Sequence, residues 1–156
     1  MATETLDDAL GTSMQAVLET MFFTMPDGEL NPLEPPPPVH HRVGMTFTGA
    51  CWGNFELRIT ADSARAIAEN FTGATDPAEL PEEQVREVLA ELTNMICGSA
   101  LSQWASDKIF RLGSPQWIET PDLATAKTVA EFRGSRAFDL GGGVLAAEIE
   151  VVGCQV

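Results

Sequence analysis

One stretch of the chain, residues 81–100, carries the strongest local pattern in the sequence. Its apolar residues recur at gaps of three and four, the spacing of one helix face: Val85, Val88, Leu89, Leu92, Ile96 and Ala100. Pro81 suits the first position of a helix, and Glu82 and Glu83 suit the positive end of the helix dipole. The stretch therefore predicts a long amphipathic helix that must bury one face.

The opposite face of this predicted helix carries a narrow polar stripe. Glu87, Glu91, Asn94 and Gly98 follow one another at spacings of four, three and four, which at about 100° per residue places them on one side. A solvated helix face is the ordinary explanation of such a stripe. Asparagine and glycine are nevertheless poor helix-interior residues, glycine by up to about 1 kcal/mol relative to alanine. We interpret them as an amide needed at Asn94 and a close approach by a partner at Gly98.

Two further units are predicted before this helix. Residues 6–23 repeat apolar side chains at helical spacing and end at Pro26-Asp27-Gly28. Residues 43–47 and 55–59 alternate apolar and polar side chains on either side of a turn at 49–54, which is typical of a β-hairpin with one buried face.

The remaining pattern favours an α+β domain, in which helices cover a largely antiparallel sheet. A second helix is expected from Thr60 or Asp62 to Gly73. Short extended segments are expected around residues 109–118. Two strand-like runs, Thr128 to Phe138 and Val144 to Val152, are joined by three consecutive glycines.

The length of 156 residues predicts one domain spanning the whole chain. Residues 31–38 contain five prolines and are expected to form an extended surface loop, with a proline-rich ligand for another domain as the alternative. His40 and His41 follow directly and have no third ligand nearby, so they are interpreted as loop residues and no metal site is predicted.

The charge of the chain excludes several partners. Nine basic against 23 acidic residues leave a net charge of −14, which phosphate backbones and anionic membrane surfaces repel. No apolar run approaches the roughly 20 residues that a membrane span requires. The acidic start does not resemble a signal peptide. No nucleic acid, no membrane and a cytoplasmic location are therefore expected.

The spacing of the cysteines and the absence of a phosphate-loop context argue against a disulfide framework, a zinc site and a small-molecule active site. Cys51, Cys97 and Cys154 are odd in number and widely spaced, which is atypical of a disulfide framework or a zinc site. Cys97 is interpreted as a packed small hydrophobe rather than a nucleophile. The glycines at 141–143 lack the strand–turn–helix context of a phosphate loop, so a small-molecule enzyme has little support.

The segment Glu91-Leu-Thr-Asn94-Met-Ile-Cys-Gly98 resembles the E-x-x-N helix of the CheC/CheX/FliY chemotaxis phosphatases, and is most similar to the CheX-like branch. The first helix, the hairpin around Gly53-Asn-Phe-Glu-Leu57 and a helix with Ala64-Arg-Ala-Ile-Ala68 are also similar to that family. The resemblance covers roughly residues 6–152. It implies a CheC/CheX-like arrangement of helices over the sheet.

The resemblance also implies a function in chemotaxis or two-component signalling. The chain is expected to be a hydrolase that removes phosphate from the aspartate of a CheY-like receiver domain. Asn94 is expected to place the attacking water, since a carboxamide both donates and accepts hydrogen bonds and stays neutral. Glu91 is expected to pair with a receiver lysine. No cofactor of its own is implied, because Mg²⁺ is expected on the receiver.

Several features depart from the family or leave alternatives open. Glu87 stands where many members have Asp or Ser, and its role is unassigned. Phe22 stands where a second motif would need Asn, so one active site is expected. A homodimer through the edge of the tail strand is implied. The alternative function is a non-catalytic dimerising adaptor that binds a receiver or a motor-switch protein.

Overall fold

Three helices and an antiparallel sheet make up the protein in a computed structural model that describes residues 4–30, 41–119 and 130–155. The elements follow the chain as α1 (Leu6–Met21), β1 (Gly28–Leu30), β2 (His41–Gly49), β3 (Cys51–Ile59), α2 (Ala61–Thr72), α3 (Glu82–Trp104), β4 (Phe110–Leu112), β5 (Gln116–Trp117), β6 (Phe132–Asp139) and β7 (Val144–Cys154), with a short 3-10 turn at Pro77–Glu79. The proline-rich residues 31–38, His40 and the start of the predicted run at 128 lie outside the described residues.

The sheet buries one face, as the alternation in the sequence predicts. Val43 pairs with Leu57 and Met45 with Phe55 between β2 and β3, and all four side chains lie in one core with apolar residues of α1 and α3. Because successive strand residues point to opposite faces, the residues between them carry the polar groups of the other face. The α+β fold with helices over a largely antiparallel sheet is confirmed.

The position of β7 corrects one expectation. The strand order is β1-β6-β7-β3-β2-β4, with β5 also pairing with β2. β7 therefore has a neighbour on each side and lies in the middle of the sheet, with β1 and β4 at the ends of that order. Residues 144–152 were expected to form an edge for dimerisation. That prediction is wrong because both rows of backbone groups of β7 are already paired.

The first helix ends earlier than Pro26 suggests. α1 stops at Met21, and the Thr24 amide then donates to the Leu18 carbonyl at 2.8 Å. Phe22 turns into the core and Phe23 adopts a left-handed backbone, with φ at 52°. The chain then forms β1, a short strand that the sequence pattern did not predict.

Arg136 of β6 fixes the beginning of α1. Its guanidinium donates to Asp7 at 2.9 Å, to Asp8 at 3.1 Å and to Glu29 of β1 at 2.6 Å. These carboxylates raise the pKa of Arg136 above its ordinary value, chiefly through the hydrogen bond that Arg136 donates to Glu29. The cluster holds α1 over β6, and α3 packs in turn against α1.

No helix in the three described ranges is long and apolar enough to span a membrane.

Two of the three cysteines form a disulfide that the sequence pattern did not predict. Cys51 and Cys154 are register partners at one end of the β3–β7 ladder and are joined by a disulfide. They are 103 residues apart in sequence, so only the strand register brings them together. The expectation that the cysteines form no disulfide is therefore wrong for this pair, whereas Cys97 is free and buried.

Counting thiols tests this pairing. Chain purified without reductant and then denatured is expected to react with one equivalent of a thiol reagent, from Cys97, and with three equivalents after reduction. Reaction of all three cysteines before reduction would contradict the disulfide.

Candidate functional site

The polar stripe lies on a helix that the core holds firmly. Leu92 and Ile96 of α3 are fully buried, and the buried Thr93 hydroxyl donates to the Leu89 carbonyl at 2.7 Å. Ser99 donates to Ser13 of α1 at 3.1 Å, which links the two helices. Position and rotation of α3 are therefore fixed by contacts on the face opposite the stripe.

The stripe lines a groove rather than facing open solvent. Glu87 and Glu91 are exposed and Asn94 is half-buried. Together with Ala90 they form one wall of a groove of about 400 Å³, and residues 113–115, between β4 and β5, form the other. Sequence reasoning placed the helix residues on one face but missed the opposing loop. For this region the sequence predicts only short extended segments around residues 109–118.

The opposing wall is anchored to the sheet. The Gly113 amide donates to the Thr46 carbonyl of β2 at 2.7 Å. A Cβ at Gly113 would lie 3.1 Å from both the carbonyl and the hydroxyl oxygen of Thr46, so the loop depends on glycine for this close approach. Pro115 restricts the backbone on the other side of Ser114. Ser114 is thus presented to the groove from a fixed turn.

The groove is acidic, and two of its polar side chains are unpaired among the described residues. None of the lining residues, all of them in the described part of the chain, is basic. Among the described residues, no side-chain hydrogen bond or ion pair engages Glu91 or Asn94. The nearby Arg86 is occupied elsewhere, 3.7 Å from Glu119 and stacked 4.9 Å from the Trp117 ring centroid. Asn94 and Glu91 are therefore available to a ligand or partner.

Gly98 has an explanation inside the protein. It is half-buried, and a Cβ there would lie 3.3 Å from Cδ1 of Leu112 in β4. The small residue thus lets α3 approach the edge of the sheet that leads into the 113–115 loop. Clearance for a partner at Gly98 stays a prediction.

Two other residues have structural roles, as expected. Cys97 is buried, and desolvation raises the pKa of its thiol to about 12, so it carries no thiolate at neutral pH. Phe22 is fully buried and its ring stacks on Phe71 at a centroid distance of 4.8 Å. The E-x-x-N position of α1 is therefore filled by a core residue. In the described ranges, no group of three or more His, Cys, Asp and Glu side chains could hold a metal ion.

One protein family matches this chain. The family model for CheX, described as chemotaxis phosphatase CheX, matches residues 43–133, which include the hairpin, α2 and the whole of α3. No curated protein matches the chain.

Solved structures of CheX and CheC-like proteins share the fold at low sequence identity. CheX from Vibrio vulnificus has a TM-score of 0.73 at 21% identity, over 97% of this chain and 99% of that one. A CheC-like superfamily protein from Shewanella has a TM-score of 0.70 at 20% identity, over 98% and 100%. A complex of CheX with CheY, BeF3 and Mg²⁺ from Borrelia burgdorferi has a TM-score of 0.69 at 17% identity, over 94% and 97%.

Proposed function

Because the chain belongs to the family of the chemotaxis phosphatase CheX, we propose that it hydrolyses the phospho-aspartate of a CheY-like receiver domain in the groove between α3 and residues 113–115. The observation that carries the proposal is that Glu91 and Asn94, one helical turn apart, line the same groove without partners of their own among the described residues. A relative of the same fold was solved in complex with CheY, BeF3 and Mg²⁺, which supports a receiver as the partner.

Asn94 is the proposed catalytic residue. In-line attack on an acyl phosphate requires little covalent help from the protein, so placing the water is the main task. A carboxamide can accept from the water and donate to a phosphoryl oxygen, and it carries no charge that would repel the phosphoryl group. Asn94 is half-buried on a helix fixed by Leu92 and Ile96. Its amide is thus more constrained than an exposed side chain would be.

Glu91 is proposed to dock the receiver rather than to contact the phosphate. Two carboxylates and no basic group line the groove, so a free phosphate ester would be repelled at short range. A receiver would offset this negative charge, because it is expected to bring its own Mg²⁺ and a lysine. Pairing of that lysine with Glu91 would neutralise one carboxylate and fix how far Asn94 reaches into the receiver's phosphorylation site. The groove therefore suits a phosphate presented by a cation-bearing protein.

Decay of a phosphorylated receiver from the same genome tests the function. Wild type should accelerate the loss of phosphate. The loss of phosphate should be slower with Asn94→Ala and with Glu91→Ala. For Glu91→Ala the main effect should be that more protein is needed to reach the same rate. Equal decay rates with all three proteins would contradict the catalytic proposal, whereas binding without acceleration by wild type would favour the adaptor. Glu87, exposed at the end of the groove, has no assigned task in either case.

Two implications of the family stay proposals for this chain. A cytoplasmic location follows from the receiver as partner. Among the described strands, a homodimer through sheet edges would use β1 at one edge, or β4 and β5 at the other, rather than the central β7.

A further inference from the structure

Four large apolar side chains that do not line the groove are exposed near the ends of α1 and α2. Met21 is 44% exposed, Phe23 69%, Met25 71% and Phe71 40%. We name these four residues the Phe23 patch. None of them lines the groove between α3 and residues 113–115. Three belong to the end of α1 and the segment after it, and Phe71 belongs to the end of α2.

Contacts join the two helix ends that carry the patch. The Phe71 ring stacks on Phe22, which is itself buried, at a centroid distance of 4.8 Å. The Asn70 side-chain amide donates to the Phe23 carbonyl at 3.3 Å and to the Thr24 hydroxyl at 3.1 Å. Asn70 thereby ties the end of α2 to the backbone that presents Phe23.

The backbone of Phe23 is unfavourable for the residue it carries. Its φ of 52° lies in the left-handed region, which costs a residue with a Cβ about 1–2 kcal/mol and is usually occupied by glycine at the end of a helix. The ring is mostly exposed, so burial within this chain does not offset the cost. Strained backbone that positions an exposed side chain is typical of binding sites.

The charge around the patch selects the partner. The sequence has no Lys or Arg before Arg42, and none between Arg65 and Arg86. The residues nearest in sequence to the patch include the carboxylates Glu19, Asp27 and Glu69. Arg136 lines a pocket together with Pro26, but its guanidinium is already engaged by three carboxylates of α1 and β1. A second copy of this chain would bring like charges together, and anionic lipids would be repelled. Met and Phe side chains in an acidic surround suit an apolar helix face flanked by basic residues.

We propose that the Phe23 patch docks a basic amphipathic helix of another protein. Phe23 and Met25 insert among the apolar residues of that helix, and its Lys or Arg side chains face the carboxylates around the patch. This surface is independent of the proposed catalytic groove, since the two share no residue.

A model peptide tests the proposal on the full chain. The probe is a labelled helix of about 18 residues with Leu at helical spacing and Lys elsewhere. Phe23→Gly is expected to weaken its binding by about tenfold or more, while thermal stability stays equal or rises because glycine accepts the left-handed backbone. Ile109→Ser is the matched control. It removes another side chain that is 81% exposed and should change the affinity by less than about twofold.

Four outcomes would overturn the proposal. The first is no binding of the peptide to wild type at about 100 µM. The second is equal affinity of wild type and Phe23→Gly, which would place the peptide elsewhere on the acidic surface. The third is binding of the chain to phosphatidylserine vesicles but not to the peptide. Retained binding when Glu replaces Lys in the peptide would likewise count against the predicted charge complementarity.

Discussion

Asn94→Ala is expected to slow phosphate release from a phosphorylated receiver by about a hundredfold or more, which corresponds to about 2.7 kcal/mol of transition-state stabilisation. The amide is the neutral donor and acceptor proposed to hold the water in line. Its loss leaves the groove open and the docking residue Glu91 in place. Affinity for a receiver loaded with beryllofluoride should therefore change by no more than about threefold.

A matched variant separates this effect from a general disturbance of the helix. Gln103→Ala removes another amide from α3, at an exposed position that does not line the groove, and it should leave both the rate and the affinity unchanged. Single-turnover decay gives the rate, and titration of the beryllofluoride complex gives the affinity. Equal losses of rate with the two variants, or a loss of affinity that accounts for the loss of rate at Asn94, would contradict a water-placing role.

Gly53→Ala is expected to destabilise the fold by roughly 3 kcal/mol or more, through overpacking at a site that cannot relax. A Cβ at Gly53 would lie 1.9 Å from the backbone carbonyl oxygen of Glu150 in β7 and 2.9 Å from Cζ of the Phe47 ring. The β3–β7 register also shifts beside it, between Trp52 and Gly53. Because the nearest atom is backbone, β7 itself must move to admit a methyl group.

Urea denaturation measures this effect, with Gly142→Ala as the control. Gly142 lies in the turn between β6 and β7, and a Cβ there meets no atom within 4 Å. The Gly142→Ala substitution should change the free energy of unfolding by less than about 0.5 kcal/mol. A Gly53→Ala variant as stable as Gly142→Ala would show that β3 and β7 do not approach as closely as described.

The helices and paired strands could be predicted because their signals are local. The apolar spacing of α3 and the alternation in β2 and β3 each determine which side chains are buried, and the structure buries those side chains. The stripe of Glu87, Glu91 and Asn94 could be placed on one helix face for the same reason.

What could not be predicted depends on contacts between residues distant in sequence. The Cys51–Cys154 pair and the central place of β7 follow from strand order and register, which no local pattern specifies. The wall at residues 113–115 is a loop that a hydrogen bond holds to Thr46 of the neighbouring strand β2. The end of α1 was placed too late because Phe23 occupies a backbone conformation that sequence rules assign to glycine.

Multiple-turnover phosphate release tests the central claim most directly. A receiver from the same genome is kept phosphorylated by a small-molecule phosphodonor and Mg²⁺, and the chain is added at about one hundredth of the receiver concentration. We predict release of inorganic phosphate faster than from the receiver alone, with the excess passing well beyond one equivalent per chain; this excess is lost with Asn94→Ala and retained with Gln103→Ala. Release at the rate of the receiver alone, for every receiver of that genome, would contradict the account.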